Sequence, residues 1–182
     1  MRDVFDLSKF LRGYVRVWNE VGDVTESDNL VVFNGGDIIT QLLAGNQEYQ
    51  ISHFYFLYEN TVGSPAPIAP ARSDTATSLQ SITPPQDLLR ASILDPVTLE
   101  AADVNHLFNR ATFLSVTASS TGDVNGLSFG AGSDSKVFHL GMVAAPTGAI
   151  GGDILYASFS LPTEIPAAGS GQISAAWATE AD

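Results

Sequence analysis

The chain has 182 residues, enough for one domain with a real hydrophobic core. Only 15% of them are charged, against about a quarter in an ordinary globular protein, so Ser, Thr, Asn, Gln and Gly must carry much of the surface. Twenty acidic and eight basic residues give a net charge of −12; that excludes nucleic acid as a partner, because binding it requires cations to neutralise phosphates, and disfavours an anionic membrane. With no cysteine there is neither a disulfide framework nor a thiolate metal site. No apolar run nears the roughly 20 residues that span a bilayer, and Asp3 and Asp6 do not suit a secretion signal, so a soluble chain is expected.

In chain order, residues 1–12 read as an amino-terminal arm and 13–182 as a single β domain. Half of the basic residues, Arg2, Lys9, Arg12 and Arg16, lie near that end and fit either an arm that docks on a partner or a solvated tail with chance charges. Gly13–Val21 alternates as a strand should, with Tyr14, Arg16 and Trp18 opposite Val15 and Val17. Gly22–Asn29 is a polar turn region and Leu30–Phe33 a short β-branched run. One helix is predicted over Gly35–Ala44, capped by Asn34 and stopped by Gly45-Asn46. The pairs Ile38/Leu42 and Ile39/Leu43 give it an apolar face that packs on a sheet. Ile51–Tyr58 is apolar on both faces, Phe54, Phe56 and Tyr58 opposing Ile51, His53, Tyr55 and Leu57, so it must be covered twice.

Thr61–Pro85 carries prolines at 65, 67, 70, 84 and 85 and is expected to be a long irregular loop. Loops of that length are commonly functional, which makes Pro65, Pro67, Pro70 and Arg72 candidate contact residues beside the basic arm. Further strands are predicted at Leu88–Leu94, Phe108–Ala118, Val137–Ala144 and Ile154–Leu161, with a last one around Ile173, Ala175 and Trp177. Phe138, Leu140 and Met142 should lie together, and Leu155, Ala157, Phe159 and Leu161 should point inward. Thr121–Ser135 reads as a flexible loop. Short strands between turn signals predict a mainly β fold, an antiparallel, jelly-roll-like β-sandwich with one short helix packed on it. Phe54, Phe56, Leu155, Phe159 and Trp177 are the expected core.

Chemistry is hard to find. His53, His106 and His139 sit on separate elements, with no spacing that gathers a metal, and no G-x-S-x-G elbow supplies a nucleophile. Asp95 and Glu100 flank a short segment, as acids beside turns often do. Asp123-Val-Asn125-Gly126 has the start of a calcium loop without its further ligands. Gly35-Gly36 precedes a helix without a P-loop lysine. Tyr14, Trp18, Tyr55, Tyr58 and Trp177 fit a sugar-stacking platform or, more commonly, core and interface anchors. The expectation is a protein without catalytic residues, cofactor or metal that works by packing into an assembly.

The order of elements resembles a family of tailed-bacteriophage virion proteins. The carrying stretches are "VFNGGDIITQLLAGN", the strand "ISHFYFLYEN", the loop "TVGSPAPIAPARSDTATSL" and a strand holding an arginine, Arg90 in "DLLRASIL". "FNRATFLSV", "VFHLGMVAA", "GGDILYASFSLP" and the closing "GQISAAWATE" continue it, so the likeness spans roughly residues 30–179. The chain departs from the pattern in "YENTVGSP" and "HLGMV". The resemblance implies a capsid decoration (cement) protein on the outer head surface, a homo-oligomer (trimer) whose partner is the major capsid protein. The alternative is a tail or fibre component, either an adaptor or a receptor-binding protein; a glycan-processing enzyme ranks third.

Overall fold

A computed structural model describes residues 11–59, 69–82, 88–100, 110–116, 135–169 and 171–181. Arg2, Lys9, Pro65, Pro67, His106 and the Asp123–Gly126 stretch lie outside them. The elements are β1 (Leu11–Asn19), β2 (Val24–Asp28), β3 (Leu30–Val31), α1 (Phe33–Leu43), β4 (Ile51–Glu59), α2 (Ala76–Ile82), β5 (Leu88–Glu100), β6 (Arg110–Val116), β7 (Lys136–Ala144), β8 (Ile154–Pro166) and β9 (Ile173–Ala181). The fold is mainly β, an antiparallel sandwich, as its alternating sequence predicts. One sheet runs β2-β1-β9-β6-β5 and the other β5-β4-β7-β8-β3.

The sheets are joined where strands change sides. Leu88–Ser92 of β5 pairs with β4, whereas Ile93–Glu100 pairs with β6. Leu94 faces Leu114 and Thr98 faces Thr112, so Asp95, Pro96 and Val97 stand against Phe113 alone. A proline cannot donate to a ladder and is tolerated at such a bulge, which is why the strand predicted to end at Leu94 runs on to Glu100. At the opposite flank β2 pairs with β1 and β3 with β8, with only Asn29 between them. Corners of this kind close a sandwich toward a flattened barrel.

Between the sheets lies the main core, including Val15, Val17, Phe54, Phe56, Leu140, Met142, Phe159 and Trp177. Trp177 of β9 meets Phe54 of β4 across the layers at a centroid distance of 5.7 Å, inside the range where aromatic pairs attract. All five residues expected in the core are buried.

The doubly apolar strand β4 is covered twice. Phe54, Phe56 and Tyr58 enter the main core, while Tyr55 and Leu57 join a second cluster with Val32, Leu88, Phe138, Val143 and Leu155, under Ala76 and Leu79. Its cover is α2, which corrects the expectation that Thr61–Pro85 holds no regular structure. The stretch Ala71–Ile82 contains no proline, and its start is capped reciprocally: Ser78 N donates to Thr75 Oγ1 (3.0 Å) and Thr75 N to Ser78 Oγ (2.8 Å).

Two bulges redistribute the predicted faces. Met142 pairs with Ala157 and Val143 with Leu155, so Tyr156 is the extra residue. It turns into the main core, and Leu155 falls on the other side with Val143. Val137 pairs with Tyr58 and His139 with Leu57, so Phe138 bulges and joins the second cluster, apart from Leu140 and Met142.

Helix α1 stops as predicted. Gly45 N donates to Leu42 O, Asn46 N donates to Gln41 O, and Gly45 adopts φ +85°, a Schellman ending. Its start differs. The cap position is Val32 rather than Asn34, with no side-chain cap bond, because Phe33 N donates 2.8 Å to Arg72 O from the segment before α2. The apolar face is also shorter than predicted. Gly35 and Ile38 are buried and Ile39 packs on the core, but Leu43 is 83% exposed beyond the edge of the contact.

Candidate assembly face and buried charge network

Strand β1 sorts its residues by period two. Val15 and Val17 are fully buried, while Tyr14, Arg16 and Trp18 emerge on the outer face. Across β1–β2, Arg16 stands opposite Glu26 and Trp18 opposite Val24. On the other side β9 places Ala178, Ala176 and Ser174 opposite Tyr14, Arg16 and Trp18, so two aromatic side chains flank a floor of small residues. The Arg16 guanidinium carbon lies 5.8 Å from the Trp18 ring centroid, and its Nε is 4.0 Å from Glu26 Oε2. Both members of that ion pair are about half exposed, so it adds little stability. Tyr, Trp and Arg together on an open sheet face are the residue types enriched at protein–protein hot spots.

Of the other contact residues expected from the sequence, Arg12, Pro70 and Arg72 lie within the described residues. Arg12 is part of β1, its backbone paired with Glu180, so the strand begins at Leu11, before the predicted Gly13. Pro70 and Arg72 are half-buried in the segment leading to α2, over the other sheet. Of the aromatic residues considered for a stacking platform, Tyr55, Tyr58 and Trp177 are buried; Tyr14 and Trp18 alone share the outer face.

Beneath α2 lies a charged network for which the sequence offered Arg90 but no partner. Arg90 Nε donates to Asp153 Oδ2 at 2.8 Å and Nη2 donates to Oδ1 at 3.1 Å, a bidentate pair with both side chains at most 1% exposed. Tyr55 Oη donates to Asp153 Oδ2 (2.6 Å), and Gln80 Nε2 donates to Tyr55 Oη (2.8 Å) and to Ile150 O (3.1 Å). Burial, reinforced by the Asp153 carboxylate, pushes the Tyr55 phenol far above its ordinary range and keeps it neutral. Burial likewise raises Tyr156. The network binds β4, β5, α2 and the β7–β8 turn together. Its Arg90, Asp153 and Tyr55 side chains are shut off from solvent, with half-buried Gln80 at the rim, and it acts as a fastening.

His139 is buried on β7 with Nε2 2.7 Å from Ser158 Oγ on β8, and His53 Nδ1 lies 2.8 Å from Ser52 Oγ. Among the described residues no three His, Asp or Glu side chains are grouped to hold a metal ion, and no helix is long and apolar enough to cross a membrane. No known family, characterised protein or solved structure matches this chain.

Proposed function

We propose that this chain is a non-catalytic virion structural protein, a decoration subunit on the outer surface of a bacteriophage head that bridges capsomers through contacts with the major capsid protein. The observation that carries this reading is the open face bearing Tyr14, Arg16 and Trp18 over Ala176 and Ala178. It offers rigid aromatic anchors on a sheet, while the one buried charged network of the described residues is closed to any substrate. The net charge of −12 supports a place outside the packaged DNA, whose phosphates repel such a surface. A homo-oligomer, as in the trimers of the family the sequence resembles, would multiply the contacts each subunit makes across a capsomer junction.

Copy number in purified particles tests the address. Hundreds of copies per particle, released without loss of the tail, are expected for a decoration protein. A few copies at the vertex or tail overturn that and favour the adaptor or receptor-binding alternative, in which Tyr14 and Trp18 would stack on a host glycan. Binding of labelled protein to undecorated heads rather than to host cells is the second expected result.

A further inference from the structure

Helix α1 has a solvent side with a pattern of its own. Gly35, Ile38 and Ile39 pack inward. At 3.6 residues per turn, Phe33, Gly36, Thr40 and Leu43 fall together within an arc of about 80° on the outer side. Phe33 is 69% exposed and Leu43 83%, the two highest values among the large apolar side chains described. The Thr40 hydroxyl donates to Gly36 O at 2.9 Å and is thereby satisfied within the helix. Gly36 has no explanation inside the chain. A Cβ there would meet nothing within 4 Å, and its φ is not positive, yet glycine is the least favourable residue after proline in a helix interior. What an exposed glycine between two large apolar residues does permit is the close approach of another backbone.

The stripe is its own complement. It reads large, small, small, large, and is symmetric about position 38: Phe33 and Leu43 stand equally far on either side, as do Gly36 and Thr40. Two helices that cross touch at their middle and diverge toward their ends, so small residues belong at the crossing and large ones at the ends. A second α1, turned about a two-fold axis through position 38, fits that rule. Phe33 of each chain then lies over Leu43 of the other, and Gly36 over Thr40. The helix dipoles run in opposite directions, amino end beside carboxy end, which is the favourable sense. An isologous contact requires nothing more than such self-complementarity.

Charge points to the same occupant. Two chains of net charge −12 repel one another and can meet only where acids are sparse. Between Asp28 and Glu48 the sole charged residue is Asp37, so this surface offers neither a cation to an acidic partner nor more than one carboxylate to a basic one. We infer that α1 is a contact between two copies of this chain, packed antiparallel through Phe33, Gly36, Thr40 and Leu43. A helix of 11 residues, about 16 Å long, covers less than the roughly 800 Å² per partner of a standard stable interface, so the association should be weak. The inference goes beyond the reading above and does not rest on it: a two-fold contact closes on two chains, whereas a trimer needs a different surface.

The chain has no cysteine, so introduced ones report the contact directly. Gly36→Cys chains mixed with Thr40→Cys chains and mildly oxidised should give a disulfide-linked heterodimer, because facing residues at the crossing come within the roughly 4.4–6.8 Å that a disulfide spans. Either variant alone should link to itself about tenfold more slowly or less, since its two copies stand off the axis. In sedimentation equilibrium the wild type should self-associate. Leu43→Glu, at the most exposed apolar position, should weaken that association about tenfold or more at an unchanged thermal midpoint. Gly36→Ala should raise the midpoint, as expected of a glycine the fold does not need. A wild type that is monomeric at about 1 mM, a Leu43→Glu chain that associates as the wild type does, a destabilised Gly36→Ala chain, or single cysteine variants that self-link as fast as the mixture each overturns the inference. None of these readouts uses particles, and a monomeric subunit would still bind heads, so failure here leaves the proposed function standing.

Discussion

At the scale of single residues, Arg90 and Asp153 have the largest consequences. Two opposite charges nearly out of contact with water are costly to bury and are tolerated because the pairing is bidentate and Tyr55 and the Gly148 carbonyl complete the bonding. Removing one charge strands the other. Asp153→Asn should lower the unfolding free energy by about 3–5 kcal/mol, read as a fall in the urea midpoint at constant slope. Replacing both, Arg90→Met with Asp153→Leu, should recover most of that loss. If the double variant is as unstable as the single one, the pair is not the source of the penalty.

Two buried tyrosines, one in this network and one in the main core, make an alkaline signature. Tyr55 and Tyr156 have raised pKa values in the fold, so the folded state binds their protons more tightly than the unfolded chain does. Their contribution is fully present below the unfolded value of about 10 and is lost as pH rises beyond it toward the folded values. Stability should therefore be insensitive to these groups at neutral pH and decline above about 10. Tyrosinate absorbance should show both phenols unionised in the native protein at that pH and ionised only once it unfolds. Titration of all five tyrosines in the folded state near the ordinary value contradicts this.

At the scale of elements, α2 tests how a proline-rich connection becomes part of the core. It has seven residues, too few to be helical alone, so its stability must come from the Thr75–Ser78 cap and from Leu79, which is fully buried. Thr75→Ala should cost about 1 kcal/mol and Leu79→Ala about 2–5 kcal/mol. Hydrogen exchange should show faster exchange at α2 with β4 and β7 retained in the first variant. Gly35 limits the other helix: a Cβ there would lie 2.5 Å from the Tyr156 carbonyl oxygen.

These elements also show what a sequence can disclose. Alternation in β1, β4 and β9 located strands and core residues such as Trp177, because side chains in a strand change face at every step. The bulges at Phe138 and Tyr156 were invisible to that rule, since one extra residue shifts the parity of everything after it. The α2 helix was hidden by prolines that flank it without entering it. Arg90 was legible as a strand arginine, but Asp153, 63 residues away, could be matched to it only in three dimensions.

On the scale of the whole molecule, the outer face of β1 is the feature least explained by folding. Tyr14 is 38% exposed, and Arg16 makes a long, half-exposed ion pair and a surface contact with the Trp18 ring, so neither residue packs into the core to which Val15 and Val17 contribute. A surface residue outside such features changes stability by about 0.5 kcal/mol or less. Tyr14→Ala and Arg16→Glu should therefore leave the thermal midpoint almost unchanged. If this face carries the contact with the major capsid protein, Tyr14→Ala should cost about 2 kcal/mol or more of binding, as buried aromatic anchors do, and lower occupancy on undecorated heads about thirtyfold at limiting concentration. Arg16→Glu should be harmful more through the charge it introduces than through the weak ion pair it removes. Glu48→Lys, at an exposed position in the connection between α1 and β4, is the control, and should bind heads as the wild type does. Equal head binding by all three variants would move the contact surface off this sheet, without touching the argument for the fold.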